Sequence, residues 1–128
     1  MRLLLDTHAV IWWFLDNPAL SRAAREAIEP AGAEILVSAA SAFEISLKHW
    51  SGKLPDAEPL ARRLGAMVLE EGFQPLPITL EHGRVAGALP WAHKDPFDRL
   101  LVALALVEDM PIVSNERVFD LTGVSRIW

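Results

Sequence analysis

Short apolar runs alternate along this chain with longer segments whose apolar residues recur at helical spacing. Leu3-Leu4-Leu5 has strand length and closes at Asp6, which predicts a buried strand. His8 to Leu15 follows as an apolar helix, stopped by Asp16-Asn17-Pro18. Ser21 is placed to N-cap a short helix over Arg22 to Ile28, and Ile35-Leu36-Val37 reads as a second strand. Ser38 or Ser41 can cap the next helix, which runs to Trp50 and stops at Ser51-Gly52. A further helix is predicted from Asp56 through Leu60, Leu64 and Val68 to Gly72. Leu76 and Ile78 lie among Pro75, Pro77 and Thr79, so a short strand there belongs at a sheet edge, because proline cannot donate to a ladder. Thr79 caps a helix to Leu89. Asp95-Pro96 opens the strongest helix, to about Asp109. Pro111-Ile112-Val113 is a strand, and Arg126-Ile127-Trp128 a last one.

Strands separated by helices, with no two-residue hairpin turns, predict an α/β fold: a mostly parallel central sheet with helices on both faces. In such sheets ligands sit beyond the carboxyl ends of the strands at a topological switch point. Residues that directly follow strands are therefore the ones to inspect.

The length of 128 residues predicts a single domain, with no linker, repeat or low-complexity tract. Apolar residues make up 52% of the chain, and the 7 glycines bring this to about 57%, against ~45–50% in average domains. Such a chain offers ample surface to bury, which excludes intrinsic disorder and leaves a surplus suited to a partner surface. With no cysteine, disulfide scaffolds and thiolate metal sites are excluded. No apolar stretch is long enough to span a membrane, and the expected location is cytoplasmic. The net charge of −5 argues against indiscriminate coating of nucleic acid, but not against an enzyme whose acids are neutralised by metal ions.

Acids in unusual company are the candidate chemistry. Asp6 is the only charge between Arg2 and Asp16, Glu44 the only one between Glu34 and Lys48, and Asp98 precedes an apolar run to Val107. Glu116 follows Ile112-Val113 by three residues. Isolated carboxylates in apolar surroundings are costly to ionise unless paired or metal-bound, and hard oxygen donors suit Mg²⁺ or Mn²⁺. Each acid also has a structural role open to it. Asp6 can bond backbone N–H groups at a strand–helix turn, Glu44 can face solvent, and Asp95 and Asp98 sit where a helix start favours anions. Their convergence is an expectation that only coordinates can test.

Taken together, Leu4-Leu5-Asp6-Thr7-His8, Ser41-Ala42-Phe43-Glu44-Ile45, His93-Lys94-Asp95-Pro96-Phe97-Asp98-Arg99-Leu100-Leu101-Val102-Ala103 and Ile112-Val113-Ser114-Asn115-Glu116 resemble a PIN-domain ribonuclease. Within that family the chain is similar to the VapC-type toxins of bacterial toxin–antitoxin pairs, over essentially its whole length. The resemblance implies a PIN-like three-layer sandwich and metal-dependent hydrolysis of RNA, leaving 3′-hydroxyl and 5′-phosphate ends. It places the acidic centre on Asp6, Glu44, Asp98 and Glu116. Asp6 and Asp98 hold Mg²⁺ or Mn²⁺, with Glu44 and Glu116 completing the shell or holding its waters. The fourth acid is usually Asp in the family, and the longer Glu116 moves its carboxylate outward. Ser114 falls on the family's Ser/Thr position, where it bonds a ligand water or an acid unless it is a plain turn residue; Thr7 is the similar, more structural case. Arg99, Lys94 and Arg117 stand beside the motifs and can meet RNA phosphates, or Arg99 pairs with an acid one turn away while the others are solvated. The resemblance further implies a homodimer and inhibition by a cognate antitoxin.

His8, His49, His82 and His93 are scattered with no metal-ligand spacing, so no catalytic imidazole is expected. Trp12, Trp13 and Trp50 read as core or interface residues rather than base-stacking platforms. An inert PIN-like module acting through protein contacts is the main alternative, and Glu116 is the feature that favours it. Phosphotransfer domains are a further alternative. A haloacid-dehalogenase-like site needs an Asp where His8 stands, a receiver-like site needs an Asp after Ile35-Leu36-Val37, and no dinucleotide or P-loop motif occurs.

Overall fold

The computed structural model describes all 128 residues. Its sheet has five strands, all parallel: β1 (Arg2–Leu5), β2 (Glu34–Ser38), β3 (Gln74–Leu76), β4 (Ile112–Val113) and β5 (Arg126–Ile127). Their spatial order is β3-β2-β1-β4-β5. The chain builds outward from β1 to one edge and then returns to the other side of it. β1 and β4 are thus neighbours across the switch point, with Leu5 opposite Val113.

Side-chain alternation along the strands splits the core into two layers. Leu3, Leu5, Ile35, Val37 and Val113 face one layer, together with buried residues of α1 (Thr7–Phe14), α2 (Arg22–Ile28), α3 (Ala39–Trp50) and α4 (Glu58–Glu70). Leu4, Leu36, Leu76 and Ile112 face the other, against Leu101, Val102, Leu104 and Ala105 of α6 (Pro96–Val107). Helix α5 (Leu80–Ala88) packs on α6. The expected α/β sandwich is found, with the sheet parallel throughout. No helix is long and apolar enough to cross a membrane.

Local signals explain most boundaries. Ser21 accepts from the Ala24 N–H, Ser38 from Ala40 and Thr79 from His82, which settles the cap of α3 on Ser38 rather than Ser41. Gly52 and Gly72, at φ of 85° and 80°, take the left-handed conformation that ends α3 and α4. Three details differ from the sequence reading. The segment after Leu54 begins as a 3-10 turn over Pro55–Ala57, and α4 starts only at Glu58, because Pro55 and Pro59 supply no amide for a continuous helix. Ile78 lies outside β3 and is partly exposed, whereas β3 does occupy an edge. A second 3-10 segment, Arg117–Thr122, buries Phe119 where the sequence pattern predicts no element.

Trp12 and Trp13 pack against the first core layer, and Trp12 meets the C-terminal Trp128 at 5.7 Å between ring centroids. Trp50 is instead exposed, with the Arg62 guanidinium 4.9 Å from its ring. Phe43, Leu47 and Trp50 form an exposed apolar stripe at helical spacing along α3.

Candidate active site

Asp6 terminates β1 and N-caps α1. Its backbone N–H donates to the Val113 carbonyl at 3.0 Å, and its Oδ1 accepts from the Ala9 N–H at 2.7 Å. The strand ladder and the helix start thus fix this carboxylate at the switch point. Ser114 follows β4 on the neighbouring strand, fully buried, and its hydroxyl accepts from the Glu116 N–H at 3.0 Å. That turn sends Glu116 back toward Asp6. From the flanking helices come Glu44, buried in the middle of α3, and Asp98, in the first turn of α6.

These acids meet. Asp6, Glu44, Asp98 and Glu116 all line one cavity of about 160 Å³, together with Thr7, His8, Lys48, Asp95 and Leu101. Residues more than a hundred positions apart in the sequence therefore face a single, almost wholly polar recess at the carboxyl ends of β1 and β4.

The electrostatics are those of a crowded anionic site. Burial pushes the Asp6 carboxyl up to about 6; hydrogen bonds from the Ser114 hydroxyl and the Ala9 amide pull down against it, and the charge of Glu116 adds to the rise. Asp98 is also raised, again chiefly by burial, with Asp95 and Glu44 as like charges and His93 opposing. Two side chains partly relieve the crowding. His93 Nε2 lies 2.7 Å from Asp98 Oδ2, and the Lys48 ammonium sits on the Glu44 carboxylate one helical turn away. No cation is hydrogen-bonded to Asp6, whose Oδ1 is met by an amide, although the nearby His8 also opposes the rise.

The donor set fits a divalent cation in chemistry, since several hard carboxylate oxygens face one small recess and the most buried of them resists ionisation unaided. As the side chains stand, no three His, Asp or Glu groups converge on a common point. Glu44 is turned to Lys48 and Asp98 to His93.

The remaining expected residues divide. Thr7 lines the cavity, and its Oγ1 lies 3.1 Å from Ser41 Oγ, a buried tie between α1 and α3. Asp95 N-caps α6, accepting from the Phe97 and Asp98 amides at 2.9 and 3.2 Å, and also faces the cavity. Lys94 and Arg117 are exposed and outside the cavity lining. Arg99 corrects the sequence reading. It neither pairs with an acid nor points to open solvent; its guanidinium donates to the carbonyls of Ala86, Gly87, Leu89, Trp91 and His93 at 2.7–3.3 Å. A planar fork with five N–H donors is suited to gathering a turn of carbonyls in this way. Arg99 thereby shapes the segment that carries His93.

Lys48 and His93 are the residues that sequence reasoning missed. Their signals were present: Lys48 lies four residues from Glu44 on one helix, and His93 precedes Asp98 within one motif. Of the other histidines, His8 lines the cavity beside Trp12. His82 completes the α5 capping box and meets Glu108 at 3.2 Å.

Comparison with known proteins agrees with this architecture. The PIN domain family model matches residues 3–124. Ribonuclease VapC22 of Mycobacterium tuberculosis (strain ATCC 25618 / H37Rv) is 35% identical over 115 residues, covering 89% of this chain and 86% of that protein. Among solved structures, VapBC2 from Rickettsia felis, bound to a DNA fragment from its promoter, is similar with a TM-score of 0.71. The match covers 98% of this chain and 97% of that one at 13% identity. VapBC-1 from nontypeable Haemophilus influenzae gives a TM-score of 0.63 at 15% identity, covering 98% and 96%. At such identities the structures speak for the fold.

Proposed function

Because this chain belongs to the PIN-domain family, we propose that it is a metal-dependent endoribonuclease toxin, active on RNA phosphodiester bonds and restrained by an antitoxin. The observation that carries this reading is the meeting of Asp6, Glu44, Asp98 and Glu116 in one recess at the switch point of a parallel sheet. The relative named a ribonuclease and the toxin–antitoxin complexes among the structural neighbours support it.

Asp6 and Asp98 are the residues that would hold Mg²⁺ or Mn²⁺, with Glu44 and Glu116 adding oxygens directly or through water. Bound there, a divalent cation supplies charge stabilisation at phosphorus and a more acidic water. The chain's own residues do the positioning. Ser114 and the Ala9 amide fix the Asp6 carboxylate, so that its orientation costs no reorganisation when substrate arrives. His93 holds Oδ2 of Asp98, a residue that lines the recess. The carboxylates orient a water in line with the scissile bond and accept its proton. Water oxygen bonds to phosphorus, the bond to the 3′ oxygen breaks with its electron pair, that oxygen takes up a proton from solvent, and 3′-hydroxyl and 5′-phosphate ends result.

The partners of this reading are RNA, a cognate antitoxin and a second copy of the chain, in the cytoplasm. The exposed Phe43, Leu47 and Trp50 stripe, next to the recess along α3, offers apolar area for the protein partners. A second reading, an inert module of the same fold, draws on the absence of any three convergent metal donors and on Glu116. Incubating a total RNA pool with the protein, with Mg²⁺ or with EDTA, separates the two. The nuclease reading expects cleavage only with Mg²⁺, 5′-phosphate fragment ends, and loss in Asp98→Asn. Intact RNA under every condition would leave the inert module.

A further inference from the structure

An i,i+4 Glu–Lys pair on a helix is ordinarily a solvated surface pair of small consequence. The Glu44–Lys48 pair is different. The Glu44 side chain is only 6% exposed, while Lys48 reaches in from a side chain 35% exposed, and both line the acidic recess. Lys48 is the one Lys or Arg on that lining; the cations once expected to meet phosphate lie elsewhere, Arg99 on carbonyls and Lys94 and Arg117 outside the lining. A polyanionic substrate approaching five carboxylates thus meets a single permanent positive side chain.

Building on the ribonuclease reading above, we infer that Lys48 is the substrate-phosphate residue of this site, parked on Glu44 until a divalent cation takes over that carboxylate. The argument is one of charge balance. In the metal-free protein, Glu44 is a buried anion among like charges, and Lys48 is the only cation within reach of it. A doubly charged ion among the carboxylates satisfies Glu44 more fully than an ammonium can. Lys48 then has no other acid within ion-pair distance, and its four-carbon stem is long enough to carry the ammonium to a phosphate oxygen at the mouth. The exchange also keeps RNA off the unmetallated site, where its phosphates would meet uncompensated acids.

The test uses the full chain and a fluorescein-labelled, mixed-sequence RNA oligonucleotide. Ca²⁺ replaces Mg²⁺, and gels confirm that the probe stays intact. Lys48→Met is expected to weaken binding by about tenfold and to lower the salt slope of the affinity by about one. Lys48→Gln, which keeps a donor for Glu44 should the Met variant fold poorly, is expected to do the same, and Lys48→Arg to stay near the parent. The difference should shrink in EDTA, where Lys48 remains on Glu44. Arg22→Gln, the same charge removed on α2, should leave affinity unchanged. Equal affinity and salt slope in the parent and both neutral variants would overturn the inference while leaving the ribonuclease reading intact. So would an equal effect of Arg22→Gln, or an undiminished difference in EDTA. A parent chain that neither binds nor cleaves RNA would overturn both.

Discussion

The imidazole Nε2 of His93 lies 2.7 Å from Oδ2 of Asp98, and the carbonyl of the same histidine accepts from Arg99 Nη1 at 2.9 Å. One arginine thus holds in place the segment whose side chain orients an acid of the site. The bond to His93 opposes the rise that burial imposes on Asp98. In His93→Ala that opposition is gone, and Asp98 should protonate at higher pH than in the parent. Carboxyl NMR titration of the metal-free protein checks this; an unchanged or lower midpoint would refute the assignment.

Arg99 makes a different prediction. Its donors serve five backbone carbonyls between Ala86 and His93. Arg99→Ala leaves them without that partner and should cost about 2–3 kcal/mol of unfolding free energy, by the usual scale for charge-assisted bonds. Arg99→Lys, which lacks the planar fork, should recover little of it. Urea unfolding measures both. If Arg99 instead served RNA, stability would hold and only binding would fall.

Asp6 links the site to pH. Its carboxyl is held at about 6, above its ordinary 3.8, so the folded chain binds this proton more tightly than the unfolded one. The stability gained from that proton is fully present below pH 3.8 and is lost as pH rises through 6. At neutral pH without metal, ionised Asp6 therefore costs up to about 3 kcal/mol. Asp6→Asn keeps an N-cap side chain for Ala9 while removing the charge. In EDTA it should be more stable than the parent at pH 7, and the gap should close toward pH 4. A parent at least as stable as the variant at pH 7 would contradict this.

Much of the architecture was legible in the sequence because each layer announces itself locally. Leu3-Leu4-Leu5 ends at a charge, Ser21 and Thr79 stand one residue before helical runs, and Asp95-Pro96 carries both a cap and a first-turn proline. Asp6 and Glu44 were legible as lone charges in apolar company and Asp98 as the charge before an apolar run, whereas Glu116, in a polar turn with Asn115 and Arg117, was legible only through the family resemblance. What remained hidden depends on neighbours distant in space. Arg99 looks like a surface cation until the 86–93 segment folds over it, and nothing local distinguishes it from Lys94. Lys48 looks like a solvated helix residue because the burial of its partner Glu44 comes from other elements packing on α3. The 3-10 turn at Pro55–Ala57 was read as helix because Leu60, Leu64 and Val68 impose helical spacing that the prolines delay rather than erase.

Everything proposed for this site requires that its carboxylates bind one divalent cation together, although as they stand two of them are turned to Lys48 and His93. Titration of the metal-free protein with Mn²⁺, followed by electron paramagnetic resonance, measures this directly. The parent should show saturable binding that Mg²⁺ displaces. Asp6→Asn and Asp98→Asn should each weaken it by about tenfold or more, at least as much as losing a ligand's supporting partner does. No saturable binding in the parent, or the same affinity in all three proteins, would contradict a shared metal centre.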